Sequence, residues 1–266
     1  MDSCLRSRLK QLTETSMAEQ PDIPMTSGID TLAARIKDIH SQESNLVIAL
    51  TGSVASGKST LARHLEQTLD VTLNVETVST DGFLFPTDYL RERGLFQRKG
   101  FPETYDRAAM EAAIESVRTA PTDFPGYSHI TFDPDPALTR RIEPSHILIL
   151  EGLGFQPRDA PDAAAHEPDL LIYLDAELEH IETWFLERFL RFWHAAEHDP
   201  SSFYAQFRHM SEPELIAFAK SVWAGINLPN LENHILPLRA HADLVVKKDA
   251  VHAIEIAEDR WGMEAR

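Results

Sequence analysis

Five short apolar runs, rich in β-branched residues, predict the strands of a buried sheet. They are NLVIALTG from Asn45, LNVETVSTDGF from Leu73, HILILEG from His146, LLIYLDA from Leu170 and DLVVKK from Asp243. Runs this apolar suit strands that are covered on both faces, as in a parallel sheet between helices. Helical spacing of apolar residues predicts helices at Ser59–Leu69, Arg107–Val117, Glu177–Ala196 and Glu212–Ala224. The alternation of strands and helices predicts an α/β fold with a doubly wound, mostly parallel sheet flanked by helices.

The N-terminal end has a different composition. Residues 1–28 combine Ser, Thr, Pro, Glu and Gln with few apolar side chains, which predicts a flexible arm. Leu32, Ile36 and Ile39 then follow at helical spacing and predict a short helix over Gly28–Gln42. Because no repeat or low-complexity block interrupts the rest, residues 29–266 are expected to form a single domain.

The charge balance and the absence of certain segments disfavour several classes of protein. The chain has 25 basic and 42 acidic side chains and a formal net charge of −17, and such a field repels nucleic acids and acidic membranes. No uninterrupted stretch of about 18 apolar residues exists, so no membrane span is expected. Cys4 is the only cysteine, and the N-terminus lacks the apolar run of a secretory signal. These features predict a cytoplasmic protein that binds neither nucleic acid nor membrane.

One basic cluster stands out in this acidic chain. Its members are Arg91, Arg93, Arg98 and Lys99. A solvated loop or helix face is the simpler interpretation of such a cluster. Because it follows a candidate active-site strand, contact with an anionic ligand is the alternative.

A single motif has a definite chemistry. It fits G-x-x-x-x-G-K-[ST] and consists of Gly52, Ser53, Val54, Ala55, Ser56, Gly57, Lys58 and Ser59. Its glycines let the backbone turn tightly and direct amides at phosphate oxygens, and the N-terminus of the following helix favours the same anion. The motif follows an apolar strand and opens the helix STLARHLEQTL, which is the context of a nucleotide site. A glycine-rich turn without a nucleotide is the alternative.

The end of the motif predicts the cofactors. In such loops the lysine, here Lys58, reaches the β- and γ-phosphates, and the hydroxyl of Ser59 is offered to Mg²⁺. ATP and Mg²⁺ are therefore the expected cofactors, and Lys58 is also a candidate catalytic residue because it neutralises charge on the transferred group.

Two acidic residues end predicted strands. Asp81 follows the second strand and Glu151 ends the third. Ligands bind outside the carboxyl ends of the strands in a doubly wound sheet, so both carboxylates are expected to face the phosphate loop. Since phosphoryl transfer needs a group that orients or deprotonates the attacking hydroxyl, Asp81 is predicted to be the base and Glu151 to hold magnesium or its water shell. An aspartate at a strand end can instead cap a turn.

The segments around these residues resemble bacterial type I pantothenate kinase, within the phosphoribulokinase and uridine kinase group. They are GSVASGKST, TDGFLFPTDYLRERGLFQRKGFPETYD from Thr80, YSH at Tyr127, ILILEGL from Ile147, TWFLERFLRF from Thr183, INLPNLENHILPLRAHADL from Ile226 and the tail KKDAVHAIE. The stretch GLFQRKGFPETYD is the most specific and separates this family from uridine kinases and phosphoribulokinases. The resemblance implies a P-loop kinase that transfers the γ-phosphoryl group of ATP to pantothenate, the first step of coenzyme A synthesis.

The resemblance also implies roles for residues at matching positions. The phosphates and magnesium would be held by Lys58, Ser59 and Thr60, with Asp81 as the base. The substrate and phosphate region would be lined by His129, Arg188 and Asn227. The pantothenate pocket would include Tyr127, Phe185, Phe189 and Phe192. The nucleotide base would lie near Lys248 and His252.

An aromatic stripe allows two interpretations. Phe185, Phe189 and Phe192 share one helix face with Leu178 and Ile181, and such a stripe is ordinarily core. The resemblance favours the pocket instead for the three aromatic residues.

Partners and alternatives also follow from the resemblance. Arg63 matches a basic residue associated with feedback binding of coenzyme A, and the family is usually dimeric, so coenzyme A and a second copy are expected partners. Phe185 stands where the family usually has tyrosine, and fewer residues precede Gly52 than in the family. A related kinase for another small alcohol, sugar or nucleoside is therefore the alternative function. A non-catalytic nucleotide-binding regulator is disfavoured because it would need no base such as Asp81.

Overall fold

The computed structural model describes residues 26–41, 45–71, 73–157 and 168–262. Most of the predicted N-terminal arm lies outside these residues. The short helix expected from Gly28 is present as α1 (Thr26–His40), so its first three residues belong to the segment predicted to be an arm. Its inner face is apolar and buried, with Leu32, Ile36 and Ile39 fully enclosed.

Strands and helices alternate along the described chain. The strands are β1 (Leu46–Gly52), β2 (Val75–Ser79), β3 (Thr122–Ser128), β4 (Asp133–Ile142), β5 (Ile147–Glu151), β6 (Leu170–Ala176), β7 (Leu244–Lys248) and β8 (Ile254–Asp259). The helices are α2 (Lys58–Leu69), α3 (Thr87–Glu92), α4 (Arg107–Val117), α5 (Leu178–Ala195), α6 (Glu212–Val222), α7 (Leu228–Asn230) and α8 (Leu238–His241). The π-helical segments Trp223–Asn227 and Leu231–Ile235 link the last three. The predicted strands and helices are confirmed, although the second strand is shorter because Thr80–Phe83 forms a 3₁₀ turn.

One main sheet organises the molecule. Its strand order is β2-β5-β1-β6-β7-β8. The pairs β2–β5, β5–β1, β1–β6 and β6–β7 are parallel, whereas β8 runs antiparallel to β7 at the edge. The predicted mostly parallel sheet is therefore confirmed. Because β1 lies between β5 and β6, the loop after β1 leaves the middle of the sheet, where a doubly wound fold binds its ligands.

The core has two layers, one on each face of the sheet. In β1, Leu46, Ile48 and Leu50 pack with α1 and α2. Val47 and Ala49 point to the opposite face, which is covered by α4, α5 and α6. Burial of every residue of β1 explains why its sequence shows no polar alternation.

Two features of the fold were not predicted. The antiparallel pair β3–β4 forms a separate two-stranded sheet, and β8 extends the main sheet. Pro125 lies where the register of β3 shifts, and Pro134 and Pro136 lie in β4, so the sequence argues against strands there. Most of β4 is exposed, and no apolar run therefore marks it.

Candidate active site

The phosphate loop connects β1 to the N-terminus of α2. Gly57 precedes α2 with φ of 98°, and Ala55 has φ of 61°, so the loop uses left-handed backbone at two positions. A side chain at Gly57 would be strained by this φ, and its Cβ would lie 2.7 Å from Nζ of Lys248. The glycine required by the motif is thus required by the local geometry.

Lys58 is buried at the base of this loop. Its Nζ donates hydrogen bonds to the carbonyl oxygens of Gly52 at 3.0 Å and Ser53 at 2.9 Å. Burial lowers the pKa of Lys58 to about 8, and this effect is opposed by the nearby carboxylates of Glu151 and Asp81. The side chain is therefore mainly cationic at neutral pH, and both predicted acidic residues lie close enough to act on it.

Ser59, in the first turn of α2, is hydrogen-bonded to Glu151 at the end of β5. Ser59 Oγ donates to Glu151 Oε1 at 2.9 Å. Glu151 ends β5 in register with Leu50 of β1 and Ser79 of β2. Burial raises the pKa of Glu151, whereas Lys58 and the hydrogen bonds from Ser59 and Ser79 lower it. The carboxylate thus lies beside the loop with a cation and hydroxyl donors around it.

The residues that follow β2 and β5 are in close contact next to the site. Gly152 has φ of 145°, and a Cβ on it would lie 2.0 Å from Thr80 Oγ1. The same hydroxyl accepts a hydrogen bond of 3.0 Å from the amide of Leu153. This close approach fixes the position of Asp81, the residue after Thr80, relative to Glu151.

Buried polar atoms in the loop fit the phosphates of a nucleotide. The hydroxyls of Ser53 and Ser56 are buried and have no hydrogen-bond partner within the described residues. Buried polar groups normally have partners, and phosphate oxygens would supply them here. Among the described residues, no three His, Cys, Asp or Glu side chains group as a metal cage. The pair Ser59–Glu151 instead suits Mg²⁺, which typically takes one or two carboxylates and completes its shell with water and phosphate.

Asp81 lies in the 3₁₀ turn after β2. Its amide donates to Ser79 Oγ at 3.3 Å, so the turn that carries it is capped by Ser79 and not by the carboxylate itself. Oδ1 of Asp81 accepts a hydrogen bond of 3.2 Å from the hydroxyl of Tyr105. Sequence analysis did not single out Tyr105, since a buried tyrosine gives no signal of its own, although it lies in the specific segment GLFQRKGFPETYD.

A second group of predicted residues faces Asp81 from β3 and α5. The rings of Tyr127 and His129 lie 5.2 Å apart, and His129 lies 6.1 Å from Phe192. Burial lowers the pKa of His129, with the cation of Arg188 acting in the same direction and Asp81 in the opposite one. Arg188 and Asp81 therefore both act on the ring, and His129 is neutral at pH 7.

The three phenylalanines of the aromatic stripe on α5 differ in burial and in neighbours. Phe185 and Phe189 are both buried, and Phe185 packs on Trp223 with ring centroids 5.5 Å apart. Phe192 is half-buried, stacks on Tyr204 at 5.2 Å, and has the guanidinium of Arg188 at 5.4 Å from its ring centre. The structure thus places Phe192 beside His129 and Arg188, and the other two phenylalanines deeper in the protein.

The predicted nucleotide-base residues lie on the other side of the loop. Lys248 Nζ donates to the carbonyl oxygen of Ser56 at 2.6 Å and lies 4.1 Å from the ring centre of Trp184. His252 has φ of 67°, and its ring lies 4.9 Å from Trp184. The two residues therefore share Trp184 as a neighbour, which sequence analysis did not identify.

For three further predicted residues the structure gives the element and the exposure. Thr60 is half-buried in the first turn of α2, and Arg63 is exposed one turn later. Asn227 is half-buried in the π-helical segment that follows α6.

The basic cluster does not form a free anion site. Its arginines contact neighbours: Arg91 lies 3.4 Å from Asp88, Arg93 lies over Tyr89, and Arg98 pairs with Glu103. Lys99 donates to Thr87 Oγ1, to Phe132 O and, at 3.2 Å, to Asp133 Oδ1. The structure favours the simpler interpretation for the arginines and gives Lys99 an internal role, joining α3 to the turn between β3 and β4.

Comparison with known proteins identifies the family. A sequence model of the phosphoribulokinase/uridine kinase family matches residues 47–191. The chain is 40% identical over 214 residues to the pantothenate kinase of Corynebacterium aurimucosum and 41% identical over 215 residues to that of Streptococcus pyogenes serotype M5. The aligned regions cover 79% of this chain and 70% of each relative. The chain belongs to the pantothenate kinase family. The predicted small-molecule kinase is thereby confirmed.

Solved structures share the fold of this kinase. The YGR205w protein has a TM-score of 0.59 at 18% identity, and D-glycerate 3-kinase from Cryptococcus neoformans has 0.56 at 15% identity. Each comparison covers 86% of this chain and 97% of the other. At these identities the likeness concerns the fold alone, and it confirms the predicted P-loop kinase architecture. None of the helices in the described part of the chain combines the length and apolar character that a membrane span needs.

Proposed function

We propose that this protein transfers the γ-phosphoryl group of ATP to a hydroxyl of pantothenate. One observation carries the proposal: the cation of Lys58, the pair Ser59–Glu151 and the carboxylate of Asp81 meet at the carboxyl edge of the sheet. Phosphoryl transfer is mainly a matter of positioning and charge neutralisation, and these groups supply both. Pantothenate is the substrate named for relatives at 40% and 41% identity.

Asp81 acts as the base in this proposal. The hydroxyl of Tyr105 is bonded to Oδ1, and Oδ2 would accept the proton of the attacking hydroxyl. Asp81 also lies near Lys58, whose cation neutralises charge on the phosphates. An acceptor hydroxyl between the two would face a proton acceptor on one side and a cation on the other.

The loop and the carboxylate of Glu151 would hold the nucleotide and its metal. The loop amides and the hydroxyls of Ser53 and Ser56 would bind phosphate oxygens, while Ser59 and Glu151 would hold Mg²⁺. When bound, ATP supplies the phosphoryl group and Mg²⁺ stabilises its developing charge. Lys58, already buried beside the loop, needs only to exchange its bonds to Gly52 and Ser53 for bonds to phosphate.

The acceptor would bind between β3 and α5. Tyr127 and His129 would contact it from one side, and Arg188 and Phe192, which lie beside them, from the other. Pantothenate combines a carboxylate and an amide with apolar carbons, which suits a cation next to aromatic rings. Asn227, on the segment after α6, is proposed to contribute a further hydrogen bond.

The proposal includes three further expectations, on regulation, oligomeric state and location. Feedback binding of coenzyme A at a site that includes Arg63, a homodimer, and a cytoplasmic location are expected by likeness to the family. The exposed position of Arg63 on α2 is compatible with a ligand that enters from solvent.

A kinase for another small alcohol is the second candidate, and Phe185 favours it. This side chain packs on Phe189 and Trp223, and it carries no hydroxyl for a polar substrate. A coupled ADP-release assay with pantothenate, pantetheine, uridine, glycerate and simple sugars tests both candidates. The proposal expects the highest kcat/KM with pantothenate; a higher kcat/KM with any other acceptor would establish the second candidate.

A further inference from the structure

Lys248 forms a contact with the phosphate loop that the proposed reaction does not require. It ends β7, is buried, and donates from Nζ to the carbonyl oxygen of Ser56 at 2.6 Å. The same ammonium lies against Gly57, because a Cβ built there would be 2.7 Å from it. Lys248 therefore contacts the loop at the junction with α2, whereas Lys58 contacts its beginning at Gly52 and Ser53.

Among the described residues, the charge of Lys248 has no acidic partner. Its neighbours there include the carbonyl oxygen of Ser56, the face of Trp184, 4.1 Å from Nζ to the ring centre, and His252, whose pKa is lowered by burial and by the charge of Lys248. Burial lowers its pKa to about 8, and no carboxylate opposes this effect. Burying an ammonium without a counterion is costly, so an apolar side chain would pack here more favourably unless the cation served the loop.

The hydrogen bond to Ser56 fixes the direction of an amide. In a trans peptide the carbonyl and the following N–H point in opposite directions. Because Lys248 holds the carbonyl of Ser56 on its own side of the loop, the amide of Gly57 must point to the other side. Loops of this kind bind phosphate through such amides.

Trp184 completes the contact from α5. Its ring receives the ammonium of Lys248, and the rings of His252 and His180 lie 4.9 Å and 5.8 Å away. A cation over the face of tryptophan is stabilised by the ring, most strongly where water is excluded. The contact with Trp184 thus stabilises the buried cation of Lys248.

We propose that Lys248 and Trp184 are positioning residues that hold the phosphate loop in its phosphate-binding conformation. Lys248 acts through its hydrogen bond to the carbonyl of Ser56, and Trp184 acts by holding the ammonium of Lys248 against its ring. Likeness to the family puts Lys248 near the nucleotide base, but its observed contact is with the backbone of the loop. The inference rests on the proposed use of ATP at this loop.

Tripolyphosphate, which lacks the adenine base of ATP, distinguishes a lysine that holds the loop from a lysine that contacts the adenine. Binding of magnesium tripolyphosphate and of Mg-ATP is measured by calorimetry for the wild type and Lys248→Met. If Lys248 holds the loop, both ligands lose affinity by the same factor, about tenfold, which corresponds to about 1.4 kcal/mol. If Lys248 contacts the adenine base instead, Lys248→Met would weaken the binding of Mg-ATP but not of magnesium tripolyphosphate. That result would overturn the proposal.

Other variants serve as controls and keep the test decisive. Lys247→Met removes the neighbouring lysine, which is paired with Glu177 on the surface at 3.0 Å, and should leave both affinities unchanged. Lys248→Arg keeps a charged donor and should recover part of the loss. Trp184→Leu keeps the charge of Lys248 but removes the aromatic ring that the ammonium contacts, so the affinities for both ligands should fall. Trp184→Phe keeps an aromatic ring and should retain most of both affinities. The Trp184 pair carries the test if Lys248→Met fails to fold.

The outcomes for this inference and for the proposed function are distinguishable. Equal tripolyphosphate binding by the wild type, Lys248→Met and Trp184→Leu would overturn the inference alone. Absence of Mg-ATP binding by the wild type would overturn the proposed function as well. Binding is measured without an acceptor, so the identity of the alcohol does not affect the result. In turnover, Lys248→Met should raise KM for ATP about tenfold and leave KM for pantothenate unchanged, a split that general destabilisation would not produce.

Discussion

The hydroxyl of Tyr105 donates a hydrogen bond of 3.2 Å to Oδ1 of Asp81. Tyr105 is buried. Burial, followed by the carboxylate of Asp81, raises the pKa of its hydroxyl well above the ordinary value, so the hydroxyl keeps its proton and donates at neutral pH. The bond restricts rotation of the carboxylate. Tyr105 is therefore a positioning residue for the proposed base.

Tyr105→Phe should lower kcat while leaving KM for ATP unchanged. A hydrogen bond to a charged group contributes about 1.5–3 kcal/mol, so a loss of about 10- to 100-fold is expected. Tyr89→Phe, on the surface, is the matched control and should behave like the wild type. Retention of kcat within about twofold in Tyr105→Phe would show that Asp81 does not depend on this bond.

Asp81→Asn and Lys58→Ala should both abolish most turnover, but at different steps. Asp81 acts on the acceptor, so ATP binding should survive and kcat should fall by about 10²–10⁴. Lys58 acts on the phosphates, so its loss should weaken ATP binding as well. The measurement is calorimetric ATP binding beside steady-state kinetics. Activity of Asp81→Asn above roughly a third of wild type at neutral pH would remove the aspartate from the role of base.

Glu151→Gln should raise the magnesium concentration needed for half-maximal activity and lower kcat. Because burial raises the pKa of Glu151, the charged form is disfavoured by folding at pH 7. Removing that charge should therefore leave Tm unchanged or higher. A loss of activity without a loss of Tm would show that the effect is on function and not on folding. A lower Tm with an unchanged magnesium requirement would contradict the assignment.

The pH dependence of kcat/KM for ATP should show an alkaline limb near pH 8. This parameter reports groups of the free enzyme. Burial lowers the pKa of Lys58 to about 8, so its cation is present below that pH and is lost as the pH rises through it. Lys248 has the same pKa of about 8, and Lys248→Arg stays charged; the limb should persist in that variant if Lys58 is responsible. A flat profile to about pH 9.5 would contradict the role of Lys58.

Phe185→Tyr tests how closely the acceptor site follows that of pantothenate kinases. A neutral hydrogen bond is worth about 0.5–1.5 kcal/mol, or about two- to twelvefold in affinity. On pantothenate, the variant should show an unchanged or modestly lower KM. If the pocket suits a different alcohol, the new hydroxyl is buried without a partner, at a cost of about 1–3 kcal/mol, and kcat/KM for that alcohol falls.

Residues whose chemistry is local could be predicted from the sequence. The motif from Gly52 to Ser59 specifies its own backbone, and Asp81 and Glu151 could be placed because the carboxyl ends of parallel strands share one edge. The helix and strand pattern was recoverable because the buried strands are uniformly apolar.

Residues whose role depends on a distant partner could not be found in this way. Tyr105 reaches Asp81 from a segment 24 residues away, and Lys248 reaches Ser56 across 192 residues. The different burial of Phe185, which is buried, and Phe192, which is half-buried, depends on their packing against Trp223 and Tyr204, which periodicity does not encode. The hairpin β3–β4 escaped notice because its prolines and exposed residues do not form a strand pattern.

The proposed phosphorylation of pantothenate is decided by identifying the product. The protein is incubated with Mg²⁺, γ-labelled ATP and pantothenate, and the product is isolated and analysed by mass spectrometry and phosphorus NMR. The account predicts labelled 4′-phosphopantothenate with the wild type, and a rate lower by about 10²–10⁴ with Asp81→Asn. No labelled pantothenate product, together with labelling of another alcohol from the acceptor panel, would contradict it.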